Sequence, residues 1–181
     1  MHEELRAELL RREAVDQEAR GQLVEVTKEK RELPRELMER LVAIDRDNTA
    51  WVRGVIREHG WPGRSLVGEQ AANAAWLLVQ HADHEPAFQR ECLDLLQAAV
   101  DAGEGSAQHL AYLTDRVLLA EGKPQRYGTQ FTAGPTGWEP RPLEDPDNVD
   151  ARRAEAGLPS LMENTSMIRE AYGDPPASKS G

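Results

Sequence analysis

Cysteine occurs once in this chain, at Cys92, so no internal disulfide forms and no cysteine pair is available to hold a metal. Phe88, Leu95 and Leu96 recur around it at helical spacing, which suits a small buried side chain rather than a nucleophile. Nowhere do 18 apolar residues run together, and residues 1–12 form a charged helical pattern instead of a basic stretch followed by an apolar one. Neither membrane insertion nor export is expected, which makes the cytoplasm the expected location. Basic residues are scarce as well, 22 against 32 acidic ones, for a formal charge of -10. A surface of that sign repels phosphate backbones and anionic headgroups, so nucleic acid and membranes are not expected partners. Also missing are the Gly-x-Ser-x-Gly elbow, the phosphate loop ending in Gly-Lys-Ser/Thr and the Gly-x-Gly-x-x-Gly dinucleotide fingerprint. Serine hydrolases, nucleotide hydrolases and Rossmann enzymes are thereby disfavoured. No internal repeat is present.

What is present is helix-forming sequence with clear punctuation. Leu5, Leu9, Leu10, Val15, Ala19 and Leu23 predict a first helix over residues 3–27. Pro34 suits the first turn of a second helix, which ends at His59-Gly60. Gly60-Trp61-Pro62-Gly63 is turn chemistry. The run Ala71-Ala72-Asn73-Ala74-Ala75-Trp76-Leu77-Leu78-Val79 is apolar nearly all round and predicts a central helix over residues 68–81. Two more helices are expected over 83–102 and 106–120, then strands over 126–132 and 138–143, and a short helix over 147–156. The expected fold is therefore mainly α: a single domain of five to seven helices over residues 1–172, with a small β-hairpin after the fifth helix. A disordered tail is expected at 173–181.

Candidate chemistry lies between Asp45 and Gln130. His81, leaving a buried helix, has the partly desolvated setting in which an imidazole carries protons; a hydrogen-bonded structural histidine fits the same position. His81 and His84, three residues apart, have a spacing that could hold a metal together with a carboxylate. Asp45 and Asn48 share the inward side of the second helix, where Asp45 either lines a pocket or pairs with Arg20 or Arg116. Asp16 and Arg20, four apart on the first helix, read as a surface salt bridge. Asp115 and Arg116 sit inside an apolar helix, so at least one meets a buried partner; the sharper reading is an Arg116 fork on a substrate anion. On an extended segment Gln125, Tyr127 and Thr129 would share one face, and Gln130 the other.

Several blocks occur in a fixed order: Gly60-Trp61-Pro62, Gln80-His81-Ala82-Asp83, Thr114-Asp115-Arg116, Gly122-Lys123-Pro124-Gln125, Tyr127-Gly128-Thr129-Gln130 and Asn148-Val149. Together they resemble an uncharacterised bacterial family known only as a domain of unknown function, over about residues 41–161. The resemblance implies that His81, Asp83, Asp115, Arg116, Gln125, Tyr127 and Gln130 are typical positions and that His84 is often replaced, which counts against a two-histidine metal site.

Two readings follow. In the first, the protein is an acid-base enzyme of hydrolase, lyase or cyclase type, without a cofactor, acting on a small polar metabolite or peptide. His81, Asp83, Asp45 and Tyr127 would then be catalytic, and Asn48, Asp115, Arg116, Gln125 and Gln130 would bind substrate. The alternative is a non-catalytic binding module in which the same residues form a buried polar lattice.

Overall fold

The computed structural model describes residues 1–29, 32–135 and 137–175. Its long elements follow the periodicity of the sequence. α1, Glu3–Lys28, starts where His2 Nδ1 accepts the Leu5 N–H at 3.2 Å, with Glu3 and Glu4 in the first turn where the helix dipole favours them. Its buried side is a seam of steps of four and three residues: Leu5, Leu9, Asp16, Ala19 and Val26, with Arg12 and Leu23 partly buried between them. α2, Arg35–His59, begins one residue after Pro34, and its inner face runs Leu37, Leu41, Asn48, Val52 and Val55. It ends at Gly60, whose φ of 72° lets the chain leave the helix without a Cβ clash.

The turn at Gly60-Trp61-Pro62-Gly63 leads into a one-turn helix, α3, Arg64–Val67, which the apolar pattern was too short to announce. α4, Glu69–Gln80, follows. Its alanines let neighbours approach closely, so it packs against α1 and α2 and, further along the chain, α5 (Pro86–Asp101) and α6 (Ala107–Ala120). The expectation of a central helix is met: Ala71, Ala74, Ala75, Leu78 and Val79 are buried, and Cys92 is wholly enclosed in the same core. Burial pushes the Cys92 thiol up to about 12, which makes it unreactive.

β1, Phe131–Gly134, pairs antiparallel with β2, Gly137–Pro140, in the register Phe131 to Pro140. The hairpin thus starts five residues later than the periodicity predicts. Asp115 causes the delay by drawing the backbone of residues 126–129 into a loop. A 3-10 turn, Pro146–Asn148, runs into α7, Val149–Glu155, and α8, Leu161–Tyr172, closes the described chain. α8 was not foreseen, because its inward face carries Asn164 where an apolar residue marks most helices. Its capping box was visible all the same: the Ser160 hydroxyl accepts the Glu163 N–H and the Glu163 carboxylate accepts the Ser160 N–H. The molecule is mainly α, with eight α-helices among the described residues and a two-stranded hairpin after the sixth. Of the tail expected at 173–181, residues 176–181 lie outside the described residues. No helix is long and apolar enough to cross a membrane among the described residues.

Candidate functional site

The seams of α1 and α2 each carry a carboxylate at the level where α4 ends. His81 caps α4, and its Nδ1 lies 3.0 Å from Asp16 Oδ1 of α1. The Arg20 Nε is 2.9 Å from the same nitrogen and 3.2 Å from Asp16 Oδ1, while Arg20 Nη2 donates to Asp45 Oδ1 of α2 at 2.6 Å. Nδ1 cannot both donate to Asp16 and accept from Arg20. A bare nitrogen lone pair facing a carboxylate at this distance is repulsive, whereas an Nδ1–H satisfies Asp16 and leaves the Arg20 N–H to the same carboxylate. The neutral imidazole therefore carries its proton on Nδ1 and leaves Nε2 bare. No partner for Nε2 is found among the described residues.

Asp16 and Asp45 differ in their electrostatics. Asp16 is wholly buried, and that burial works against its charge. The hydrogen bond and charge of His81, with Arg20 and Gln17, outweigh it and hold the carboxyl below its ordinary value. At Asp45 burial wins over Arg20 and His81, and the neighbouring Asp16 adds to it, so that carboxyl is raised. The earlier reading of Asp16 and Arg20 as a surface pair is corrected: a residue on the seam of α1 faces the protein.

Asp16, Asp45 and His81 offer ligand atoms within 4.8 Å of one another, a spacing suited to a metal. The Arg20 guanidinium stands among them and supplies the positive charge, so a metal would have to displace it. The His81–His84 arrangement is not formed; among the described residues His84 belongs to no such ligand group, and its Nε2 lies 3.9 Å from Glu85 Oε1.

His81 lines a cavity of about 430 Å³, within the range of about 300–1,000 Å³ usual for small-molecule sites. Five of the chain's nine tryptophan, tyrosine and phenylalanine residues wall it: Trp76, Tyr112, Phe131, Trp138 and Tyr172. α4 and α6 supply one side, the hairpin and α8 the other. Trp76 is held in place by stacking on His109, with centroids 3.8 Å apart, and by its Nε1–H on the His109 carbonyl at 3.1 Å. Burial, with the Arg64 charge, pushes the His109 imidazole down to about 4, so a neutral ring stacks there. Trp138 Nε1–H bonds the Gly173 carbonyl at 2.7 Å, which ties the hairpin to the end of α8.

The cavity's polar groups include one that is unmet: Gln80 is 3% exposed, and its Oε1 is buried with no hydrogen-bond partner among the described residues. Asn164, 6% exposed, lines the same cavity. Buried amides are nearly always bonded. Arg116 and Gln130 also line the cavity and, beyond it, a second cleft of about 230 Å³ with Asp83, Gln89 and Arg141. Arg116 Nη1 donates to Asp83 Oδ2 at 2.5 Å, and its Nε is buried without a partner. A larger groove of about 710 Å³ between α1 and α2 gathers no comparable cluster and contains no histidine.

Several expected site residues serve the fold instead. Asp83 turns to Arg116 and Gln89, not to His81. Asn48 accepts from Arg12 Nη1 at 3.0 Å, within a network that includes Asp47. Asp115 is wholly buried and accepts the N–H groups of Arg126, Tyr127 and Thr129 and the Thr129 hydroxyl, at 2.7 to 3.2 Å, which leaves it nothing for a substrate. Gln125 bridges Gln130 and the Arg141 carbonyl. Tyr127 packs with Ala111, Ala156 and Leu158 rather than beside His81. Its carbonyl, with those of Gly128 and Pro159, takes the buried Arg153 guanidinium. The one-cavity arrangement of His81, Asp115 and Tyr127 is thus not found. His81, Arg116 and Gln130 come together at the aromatic cavity, and Asp45 joins His81 from behind.

Sequence reasoning passed over Asp16 as an inward group and Asn164 altogether, and gave Gln80, though part of a noted block, no role of its own. The regular seam of α1 was the available signal for Asp16. For Asn164 the capping box locates the helix but not its inward face.

Fold and site define a helical protein with an aromatic-walled cavity set against a buried Asp–Arg–His cluster. Over residues 3–175 the chain matches the model of a family of unknown function, DUF6624, and it belongs to that family. No curated protein and no solved structure matches it.

Proposed function

We propose that this protein is an acid-base enzyme acting on a small polar molecule held in the aromatic cavity, with His81 as the proton carrier. The observation that carries this reading is the Nδ1 of His81 seated 3.0 Å from the buried Asp16 while the same residue lines the cavity. Asp16 orients the imidazole and stabilises it when protonated; bare Nε2 takes a proton from the substrate or from a water beside it. His81 and, after it, Arg20 favour the ionised Asp16, and Arg20 links it to Asp45. Among the described residues neither serine nor cysteine lines the cavity, which favours direct proton transfer, of lyase or hydrolase type, over a covalent intermediate on such a residue.

The test is a comparison of the purified protein with His81→Gln and Asp16→Asn in a mixture of small metabolites followed by mass spectrometry. The expected result is a compound consumed by the wild type, spared by His81→Gln and consumed at least tenfold more slowly by Asp16→Asn. Consumption of no compound in a His81-dependent way would leave the second reading, a binding module. That reading is favoured by how fully Asp115, Gln125 and Arg153 are engaged within the protein.

A further inference from the structure

The protein carries 32 acidic residues, yet no aspartate or glutamate lines the aromatic cavity. Its ionisable side chains are His81, Arg116 and the two tyrosines Tyr112 and Tyr172. Burial raises the Tyr112 phenol above its ordinary value, against the Arg153 charge, so it stays a neutral donor. In a chain of net charge -10, a cavity whose charged side chain among the described residues is the Arg116 guanidinium favours anions over cations. Arg116 is held at one edge by Asp83 through Nη1, and its Nε has no partner among the described residues. With Nη1 on Asp83 and Nε buried, the second Nη is the group with which Arg116 meets an anion in the cavity.

Shape and polar complement narrow the ligand further. Indole and phenyl rings of Trp76, Phe131 and Trp138 face a ring better than a flexible chain. Gln80 Oε1, buried without a partner among the described residues, asks for a ligand donor, and the Asn164 amide lines the same cavity.

We infer that the cavity binds a small planar ring compound carrying one carboxylate, its anion on Arg116 and its polar ring substituents on Asn164 and Gln80. This rests on the reading of the cavity as the substrate site, but not on His81 being the base.

The test is saturation-transfer NMR and titration of the intact protein with a matched series: benzoate, 2-aminobenzoate, benzamide and benzylamine. Both carboxylates are expected to bind, 2-aminobenzoate the tighter, benzamide weakly and benzylamine not at all. Arg116→Gln is expected to weaken benzoate about tenfold or more and leave benzamide unchanged, with Arg116→Lys partly restoring the anion preference. Asn164→Leu should remove the advantage of 2-aminobenzoate over benzoate. Binding of benzylamine in preference to benzoate, or of no member of the series at millimolar concentration, overturns the inference. His81→Gln separates the two proposals. Carboxylate binding that survives this substitution supports the ligand class whether or not turnover is ever found. His81-dependent turnover of a non-anionic compound would sustain the enzyme and overturn the ligand class.

Discussion

The His81 imidazole, at the end of α4, meets the Asp16 carboxylate in the middle of α1 at 3.0 Å, across 65 residues of sequence. The contact joins a wholly buried acid to a ring on the wall of the aromatic cavity, so the stability of one and the chemistry of the other are coupled.

Asp16 and Asp45 should respond oppositely to neutralisation. The folded pKa of Asp16 lies below its ordinary 3.8, so its contribution is present above that pH and lost as pH falls below it. Asp45 is raised above 3.8, so its ionisation works against folding at neutral pH. Asp16→Asn is expected to cost about 2–3 kcal/mol at pH 7, and Asp45→Asn to be neutral or stabilising by less than about 1 kcal/mol. Urea unfolding from pH 7 to pH 3 checks both, since each difference should shrink toward the acid end. A larger loss from Asp45→Asn than from Asp16→Asn would contradict the assignment.

His109 predicts a second pH dependence. Its folded pKa of about 4 lies below the ordinary 6.5, so the unfolded chain binds the extra proton between those values. Stability should therefore fall as pH drops from 6.5 to 4, by about 2–3 kcal/mol from this group. His109→Phe keeps a flat ring against Trp76 and should flatten that part of the profile. An unchanged slope would show that the acid sensitivity arises elsewhere.

Asp115 anchors the loop that places Gln130 and the hairpin. An asparagine there would turn an N–H₂ toward backbone donors, and Asp115→Asn is expected to cost about 3–5 kcal/mol. Hydrogen exchange should locate the damage at Arg126, Tyr127 and Thr129, whose amides lose their acceptor. Protection that persists at these amides would refute the anchoring role.

Asn164 distinguishes a binding wall from a lattice. Because its side chain lines the cavity, Asn164→Leu should leave the melting temperature unchanged or raise it by a few degrees. A loss of more than about 1 kcal/mol would mean that the amide serves the fold and not a ligand.

Local signals were legible where they depend on neighbours in the chain. The alanine-rich run of residues 71–79 marked the central helix because its apolar residues leave no wet side. Gly60, Gly103 and Gly122 marked helix ends because each adopts a positive φ that other residues resist. The hairpin was found, but its start was misplaced, since the carboxylate that bends residues 126–129 lies on another element. Asp16 was misread because Val15 beside it drew the apolar pattern off by one residue. The unbroken steps from Leu5 to Val26 place Asp16, not Val15, on the inward side.

The sequence by itself determined the helices, their seams and the turns between them, because periodicity and backbone chemistry act within a few residues. It also indicated that Asp45 faces inward, that His81 is partly desolvated, and that at least one of Asp115 and Arg116 meets a buried partner. Only the tertiary structure decided what each one meets: Asp45 the Arg20 guanidinium, Asp115 a loop backbone, His81 a carboxylate from α1 and an aromatic cavity. A seam position says which way a side chain faces, whereas its partner depends on how distant helices cross, and that is set by the packing of the whole core.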